Sequence, residues 1–120
     1  MSLEQAVILI VEDEALVRLA AVGTLEDAGF RMIEAANGDE AIELLEADSN
    51  VQLLFTDINM PGAIDGLALA RQVHARWPHI RIMVTSTRLA APEMPAGSRY
   101  YQKPYSAAAV VKHAQELASA

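Results

Sequence analysis

The chain has 120 residues, and its 16 Asp and Glu against 9 Lys and Arg give a net charge of −7 and a pI of about 4.8. This length suits one domain on a single core, so we expect residues 1–120 to form it, and the acidic surface argues against nucleic acid or anionic lipid as direct partners. The absence of cysteine excludes disulfides and thiolate metal sites, and no apolar run reaches ~18 residues or follows a basic segment as in a signal peptide, so we expect a cytoplasmic protein without a membrane span.

Apolar and β-branched runs predict five strands in chain order, over residues 7–11, 32–34, 51–56, 80–85 and 99–102. Apolar positions at helical spacing predict helices over residues 14–28, 38–47, 66–77 and 106–118. Strand and helix alternate, and crossovers of this length join parallel strands. The first, third and fourth strands are nearly continuously apolar, as strands buried on both faces are, whereas the second and fifth carry polar residues and fit edges. We predict an α/β fold with a doubly wound, five-stranded parallel sheet in the order 2-1-3-4-5, the flavodoxin-like (βα)5 arrangement.

The connection between the fourth and fifth strands is short for a crossover that contains a helix. Pro92 and Pro95 remove backbone donors and clash with a helix that runs through them, and Gly97 loosens the approach to the fifth strand. We therefore predict a short or irregular fourth helix within residues 86–98. A short fourth helix leaves less surface at this position of the fold.

Polar residues follow four of the predicted strands at the carboxyl edge of the sheet, where open α/β sheets bind ligands. They are Glu12, Asp13 and Glu14 after the first strand, Asp57 after the third, Thr85 and Ser86 at the end of the fourth, and Lys103 before Pro104 after the fifth. Each has a structural explanation when taken alone: an acid caps the next helix, Asp57 starts a turn, and Lys103 is a solvated loop residue. Their common edge instead predicts one crevice with three acids, a hydroxyl and a lysine.

The charges of this crevice favour a bound cation. Two carboxylates ~4 Å apart repel by roughly 4 kcal/mol at an effective dielectric of about 20, so Glu12, Asp13 and Asp57 need a compensating charge. Oxygen ligands without a nearby His or Cys select a hard ion, and Mg²⁺ fits best. Mg²⁺ and Lys103 together neutralise the three acids, and an acyl phosphate on Asp57 changes that side chain from −1 to about −2. The crevice therefore suits phosphoryl transfer to a carboxylate.

Over nearly the whole chain, these residues resemble the receiver domains of two-component response regulators. The resemblance rests on the acidic pair at 12–13, on Asp57 with Met60-Pro61 and Asp65-Gly66, on Val84-Thr85-Ser86 and on Lys103-Pro104. It implies that Asp57 accepts a phosphoryl group. It also implies that Mg²⁺ is held by Asp13, Asp57, the backbone carbonyl of Asn59 and, directly or through water, Glu12.

The resemblance further implies a switch and partners. Lys103, with a cis bond to Pro104, holds a phosphoryl oxygen, and Thr85 turns inward to bond the new group. Tyr100, three residues before the lysine, matches the aromatic rotamer switch, although a static edge-strand aromatic is the alternative. The donor is a phosphohistidine on a histidine kinase or phosphotransfer protein, and the target is an unknown downstream protein. The receiver is not an enzyme in its own right but assists its own phosphorylation and dephosphorylation.

Three readings of function remain open at this point. A receiver, either stand-alone or part of a hybrid kinase or longer regulator, agrees with all the residues above. A Mg²⁺-dependent phosphohydrolase with an aspartyl phosphate normally carries a second Asp two residues after the nucleophile, where this chain has Asn59. A pseudo-receiver that only binds a partner is expected to lack an acid or the lysine. One departure from the family is the three-residue spacing Gly62-Ala63-Ile64, where two residues are usual, which predicts a longer loop over the crevice.

Overall fold

The structure is a computed structural model that describes residues 5–47, 50–59, 65–87 and 93–119. Its elements in chain order are β1 (Val7–Val11), α1 (Ala15–Asp27), β2 (Arg31–Ala35), α2 (Gly38–Ala47), β3 (Leu53–Asp57), α3 (Gly66–Arg76), β4 (Arg81–Ser86), β5 (Arg99–Gln102) and α4 (Ala107–Ala118). All strand pairs are parallel, and the sheet order is β2-β1-β3-β4-β5. The predicted α/β class and strand order are confirmed.

The third and fourth strands lie slightly closer to the carboxyl edge than predicted. β3 spans Leu53–Asp57 rather than 51–56, and β4 spans Arg81–Ser86 rather than 80–85. The reason is that Asp57 pairs in register with Thr85, which carries the ladder one residue further. Asp57 is therefore the last residue of a buried strand, and the pairing with β4 fixes its backbone.

The connection between β4 and β5 holds no helix in its described part. Thr87 is a bend, and residues 93–98 contain only a turn, at which Gly97 has φ of 83°. This agrees with the predicted short or irregular fourth helix as far as these residues extend. Residues 88–92, which include Pro92, and the loop residues 60–64 lie outside the described residues, as do the predictions that concern them.

Two apolar layers flank the sheet because side chains alternate along each strand. Residues 7, 9 and 11 of β1 pack with α2 and α3, whereas residues 8 and 10 pack with α1 and α4. All five residues of β1 and all five of β3 are buried, which explains why β1 is apolar throughout and β3 is apolar up to Phe55. Among the helices of the described part of the chain, none combines the length and apolarity that crossing a membrane requires.

The edge strand β5 is attached to α4 by Tyr101. Its hydroxyl forms a hydrogen bond of 2.7 Å with His113 Nδ1, and the two rings lie 5.5 Å apart. Its ring also meets the edge of Phe55 in β3 at 6.5 Å. Burial raises the pKa of Tyr101 to about 12, so the hydroxyl stays protonated far into the alkaline range.

The raised pKa of Tyr101 predicts a pH-dependent stability. Tyr101→Phe should lower the free energy of unfolding by about 1 kcal/mol at neutral pH, through loss of the hydrogen bond. Above about pH 10 the tyrosine of the unfolded chain ionises, whereas Tyr101 of the folded chain does not. The free energy of unfolding of the wild type therefore falls up to about pH 12, and the variant lacks this decrease. Urea titrations across this range should show the difference between the two proteins shrinking; a constant difference would contradict the burial of this hydroxyl.

Helix α3 begins in direct contact with the end of β3. A Cβ atom at Gly66 would lie 1.8 Å from the carbonyl oxygen of Asp57 and 2.7 Å from the Cα of Ile58. The Gly66 amide donates to the carbonyl of Ile58 at 3.2 Å, and the Asp65 carboxylate caps the helix by accepting from the Ala68 amide at 2.8 Å. Only glycine permits this approach, which fixes the backbone of Asp57 from below.

We expect Gly66→Ala to destabilise the fold by about 3 kcal/mol, because the new methyl group meets backbone atoms that cannot rotate away. Gly23→Ala is the matched control, since a Cβ at Gly23 in α1 has nothing within 4 Å and alanine favours a helix by about 0.5–1 kcal/mol. Chemical denaturation should therefore give opposite signs for the two variants. Equal effects would show that the contact under Asp57 is not restrictive.

Candidate functional site

Lys103 joins two buried carboxylates at the carboxyl edge of the sheet. Its Nζ lies 2.9 Å from Asp57 Oδ2 and 3.1 Å from Glu12 Oε1, and the two acidic side chains are only 8% and 6% exposed. The lysine follows β5, and its own backbone amide donates to the carbonyl of Ser86 in β4 at 2.7 Å. The bond from Lys103 to Pro104 is cis, as the family resemblance implies. Lys103 thus contacts the last residues of β3 and β4 and the residue that follows β1.

Burial and pairing act in opposite directions on these groups. Burial raises the pKa of Glu12, and the hydrogen bonds from the Glu14 amide and Lys103 offset this only partly. Burial alone lowers the pKa of Lys103, but its hydrogen bonds to Asp57 and Glu12 and their negative charges outweigh it, so the pKa is raised. The lysine is therefore firmly cationic and neutralises part of the acidic charge.

Asp13 completes an acidic cluster with Glu12 and Asp57. Carboxylate oxygens of the three residues all lie within 4.8 Å of one another. Asp13 is exposed while the other two are buried, so the cluster opens to solvent on the side of Asp13. An all-oxygen donor set with excess negative charge, open to water on one side, fits a hard divalent cation such as Mg²⁺, which keeps several of its waters. We call Glu12, Asp13, Asp57 and Lys103 together the acidic pocket.

The segment after β3 holds the Asp57 side chain in place. The backbone amide of Asn59 donates to Asp57 Oδ1 at 3.0 Å, so both carboxylate oxygens have donors, one from the backbone and one from Lys103. The amide of Ile58 donates to the carbonyl of Thr85 at 2.9 Å and extends the β3–β4 ladder. The Ser86 hydroxyl donates to Asn59 Oδ1 at 3.1 Å. The carboxylate therefore points in one fixed direction.

The two expected switch residues occupy different positions. Thr85 is 3% exposed and, with Glu12 and Asp57, lines a cavity of about 10 Å³, which is about the space of one water. Tyr100 is half-buried and packs on the layer formed with α2 and α3, on the opposite face of β5 from Tyr101. The structure thus brings Thr85 to the acidic pocket. Tyr100 pairs with Val84, one position before Thr85 in the β4–β5 ladder.

An apolar groove adjoins the acidic pocket between α1 and α4. It has a volume of about 400 Å³ and is lined by residues that include Leu16, Ala20, Leu25, Phe55, Tyr105 and Val110. Leu16 is 83% exposed and Leu19 57% exposed, which is unusual for large apolar side chains. Val17, Ala21, Phe55 and Tyr105 line both the groove and the small cavity at Asp57. The groove and the small cavity at Asp57 therefore share a wall.

Sequence reasoning missed two residues that contact the pocket. Arg18 in α1 donates from Nη1 to the carbonyl of Glu12 at 2.7 Å and from Nε to Glu34 Oε1 at 3.1 Å. Ser86, noted only as part of a strand end, bonds the side chain of Asn59. The available signal for Arg18 was its isolation, since it is the one basic residue between Val7 and Gly29. Nothing in the sequence points to Asn59 as the partner of Ser86.

Comparisons with known proteins agree with this geometry. The family model described as response regulator receiver domain matches residues 8–115. The chain is 36% identical over 83 residues to chemotaxis protein CheY1 of Helicobacter pylori (strain J99), covering 67% of this chain and 66% of that protein. It is 37% identical over 82 residues to sensor kinase CckA of Brucella abortus (strain 2308), covering 68% of this chain but only 9% of the kinase.

A solved structure gives the same result at the level of the fold. The response regulator receiver protein from Sinorhizobium medicae WSM419 is 31% identical and superimposes with a TM-score of 0.88 over 99% of this chain and 98% of that one. Several relatives are much longer than this chain, so the shared part is the receiver unit and not their remaining domains. Because the family model covers nearly the whole chain and a receiver of 31% identity shares its fold, the chain belongs to the response regulator receiver domain family of two-component signalling.

Proposed function

We propose that this receiver accepts a phosphoryl group on Asp57 in a Mg²⁺-dependent reaction. The observation that carries the proposal is the fixed Asp57 carboxylate, with Lys103 Nζ at 2.9 Å and two further carboxylates within 4.8 Å. In the transfer, the nitrogen–phosphorus bond of a donor phosphohistidine breaks, and the imidazole nitrogen keeps the electron pair. A bond forms between phosphorus and one carboxylate oxygen of Asp57. Positioning and charge compensation lower the barrier.

Four groups are candidates for holding the ion. They are the carboxylates of Asp13 and Asp57, the backbone carbonyl of Asn59 and, directly or through water, Glu12. When bound, Mg²⁺ neutralises charge that develops on the transferred phosphoryl oxygens. Lys103 adds a further positive charge and already donates a hydrogen bond to Asp57 Oδ2. The protein itself thus contributes orientation of the acceptor and one of the three positive charges.

Phosphorylation changes the charge at the end of β3 and β4. The Asp57 side chain goes from −1 to about −2 and gains strong acceptor oxygens. Thr85, buried beside Asp57, supplies the nearest hydroxyl on β4, and we propose that it turns to donate to the new group. Tyr100 on the adjacent strand would then reorient and alter the surface near the β4–β5 connection. Thr85 and Tyr100 are thus the proposed switch.

The partners follow from the surface around the pocket. A histidine kinase or phosphotransfer protein must bring its phosphohistidine within reach of Asp57, and the exposed Leu16 and Leu19 beside the apolar groove offer an apolar contact for it. The downstream target is proposed to be a protein, because a net charge of −7 disfavours nucleic acid. Such signalling places the domain in the cytoplasm. Asn59, where a phosphohydrolase would carry its second Asp, favours a phosphoacceptor over an enzyme acting on small molecules.

A small phosphodonor should modify Asp57 alone. Incubation of the full chain with phosphoramidate and Mg²⁺ should give one phosphate adduct by intact-mass analysis, at the carboxylate that Lys103 and the Asn59 amide hold in place and that the family resemblance identifies as the acceptor. Chelation of Mg²⁺ should slow the reaction at least about hundredfold, since a bound ion supplies several kcal/mol of charge stabilisation.

Asp57→Asn is the control for this assignment, since it keeps the size and removes the nucleophilic charge. It should show no adduct under the same conditions. An equal adduct on the variant, or a reaction that is indifferent to the chelator, would refute the assignment of Asp57 or of the metal respectively.

Removing the Asp13 charge should separate metal binding from stability. In Asp13→Asn we expect Mg²⁺ affinity to fall at least about tenfold, since even indirect partners of metal ligands cost this much. Without metal, the variant should melt at a higher temperature than the wild type, because one source of repulsion in the cluster is gone. Calorimetric titration and thermal melts with and without Mg²⁺ test both halves. A variant that melts lower without metal, or binds Mg²⁺ like the wild type, would be inconsistent with this role.

A further inference from the structure

Arg18 links the acidic pocket to the edge strand β2. Its guanidinium donates to the carbonyl of Glu12 at 2.7 Å and to the carboxylate of Glu34 in β2 at 3.1 Å, and its side chain is only 19% exposed. An arginine suits this position because its planar fork serves two acceptors at fixed angles, whereas a lysine is a point charge on a flexible stem. The guanidinium is thereby held by two acceptors on different strands or turns.

The carbonyl that Arg18 contacts belongs to the peptide group that joins Glu12 to Asp13. On its other sides, Glu12 is already fixed: its amide donates to the Ala35 carbonyl at 3.2 Å, and its carboxylate accepts from the Glu14 amide and from Lys103. The peptide plane after Glu12 sets the direction in which the exposed Asp13 side chain leaves the backbone. Arg18 therefore restrains the peptide group from which the Asp13 side chain extends.

We propose that Arg18 is a positioning residue for the metal site, which holds the Glu12–Asp13 peptide so that the Asp13 carboxylate faces those of Glu12 and Asp57. This inference rests on the proposed binding of Mg²⁺ by Asp13. The Arg18 guanidinium donates to the Glu12 carbonyl and to Glu34, so it acts on the metal site through the backbone of Glu12. It is distinct from Lys103, which contacts the carboxylates directly.

A purely electrostatic role for Arg18 predicts the opposite result from a positioning role. A positive charge near the cluster repels Mg²⁺, so loss of that charge alone would tighten Mg²⁺ binding. Loss of the peptide restraint instead misplaces a ligand and weakens binding, by about tenfold or more if Arg18 behaves like other indirect partners of metal ligands. The sign of the change in affinity thus distinguishes the two roles.

Calorimetric titration of the full chain with MgCl₂ at constant ionic strength tests the proposal. We expect Arg18→Met to weaken Mg²⁺ binding about tenfold and Arg18→Lys, which keeps the charge and one donor, to recover part of the loss. Glu34→Gln is the matched control: it removes the charge of the outer partner but leaves the Glu12 carbonyl contact, and its affinity should stay within about twofold of wild type.

A second measurement needs no metal. In Mg²⁺-free protein, the backbone amide of Asp13 belongs to the peptide whose carbonyl Arg18 bonds, so its NMR chemical shift should change in Arg18→Met and stay near wild type in Glu34→Gln. Tighter or unchanged Mg²⁺ binding in Arg18→Met, or an unmoved Asp13 amide, would overturn the proposal. Unchanged binding in Asp13→Asn would instead overturn the metal assignment on which it rests, so the two failures are distinguishable.

Discussion

The rest of the site depends on the two ion pairs that the Lys103 ammonium group makes with Glu12 and Asp57. Glu12 and Asp57 are buried acids at the ends of neighbouring strands, and without a cation between them their charges would repel across a few ångströms of protein interior. The backbone of Lys103 is in turn bonded to Ser86 at the end of β4. A change of charge at Asp57 therefore acts at once on the segment that leaves β5 and, through it, on β4.

This arrangement requires a rigid acceptor, and the fold supplies one from several directions. Gly66 lets α3 press against the carbonyl of Asp57, and the Asn59 amide bonds its side chain. Two residues earlier on the same strand, Phe55 contacts both Tyr101 and Tyr105, and Tyr101 continues to His113 on α4. The apolar layer under the acidic pocket is thus connected by aromatic rings to a surface helix. Phe55 is one of the residues that line both the groove and the small cavity at Asp57.

The sheet was predictable because its information is local. Continuous apolar runs identify buried parallel strands, and the residues after them share one edge by topology, so the meeting of Asp57, Glu12 and Lys103 followed from strand order alone. The contacts of Arg18 and Ser86 were not predictable, since each joins elements whose relative placement depends on packing. The Ser86–Asn59 bond spans 27 residues. The two prolines predicted an interrupted fourth connection, and residues 93–98 agree with this.

The donors of Lys103 limit how the switch can operate. An ammonium group has three N–H donors, and in the described part of the chain two of them bond Asp57 and Glu12. In the proposed reaction, the third N–H can therefore donate to a phosphoryl oxygen without release of either carboxylate. Burial raises the pKa of Glu12, and the hydrogen bonds from the Glu14 amide and Lys103 offset part of this rise. If Asp57 is phosphorylated as proposed, the structural change would begin at groups whose partners change, and Thr85, the register partner of Asp57 on β4, is the proposed one. In the proposed switch, Lys103 holds the site in place while the Thr85 hydroxyl moves.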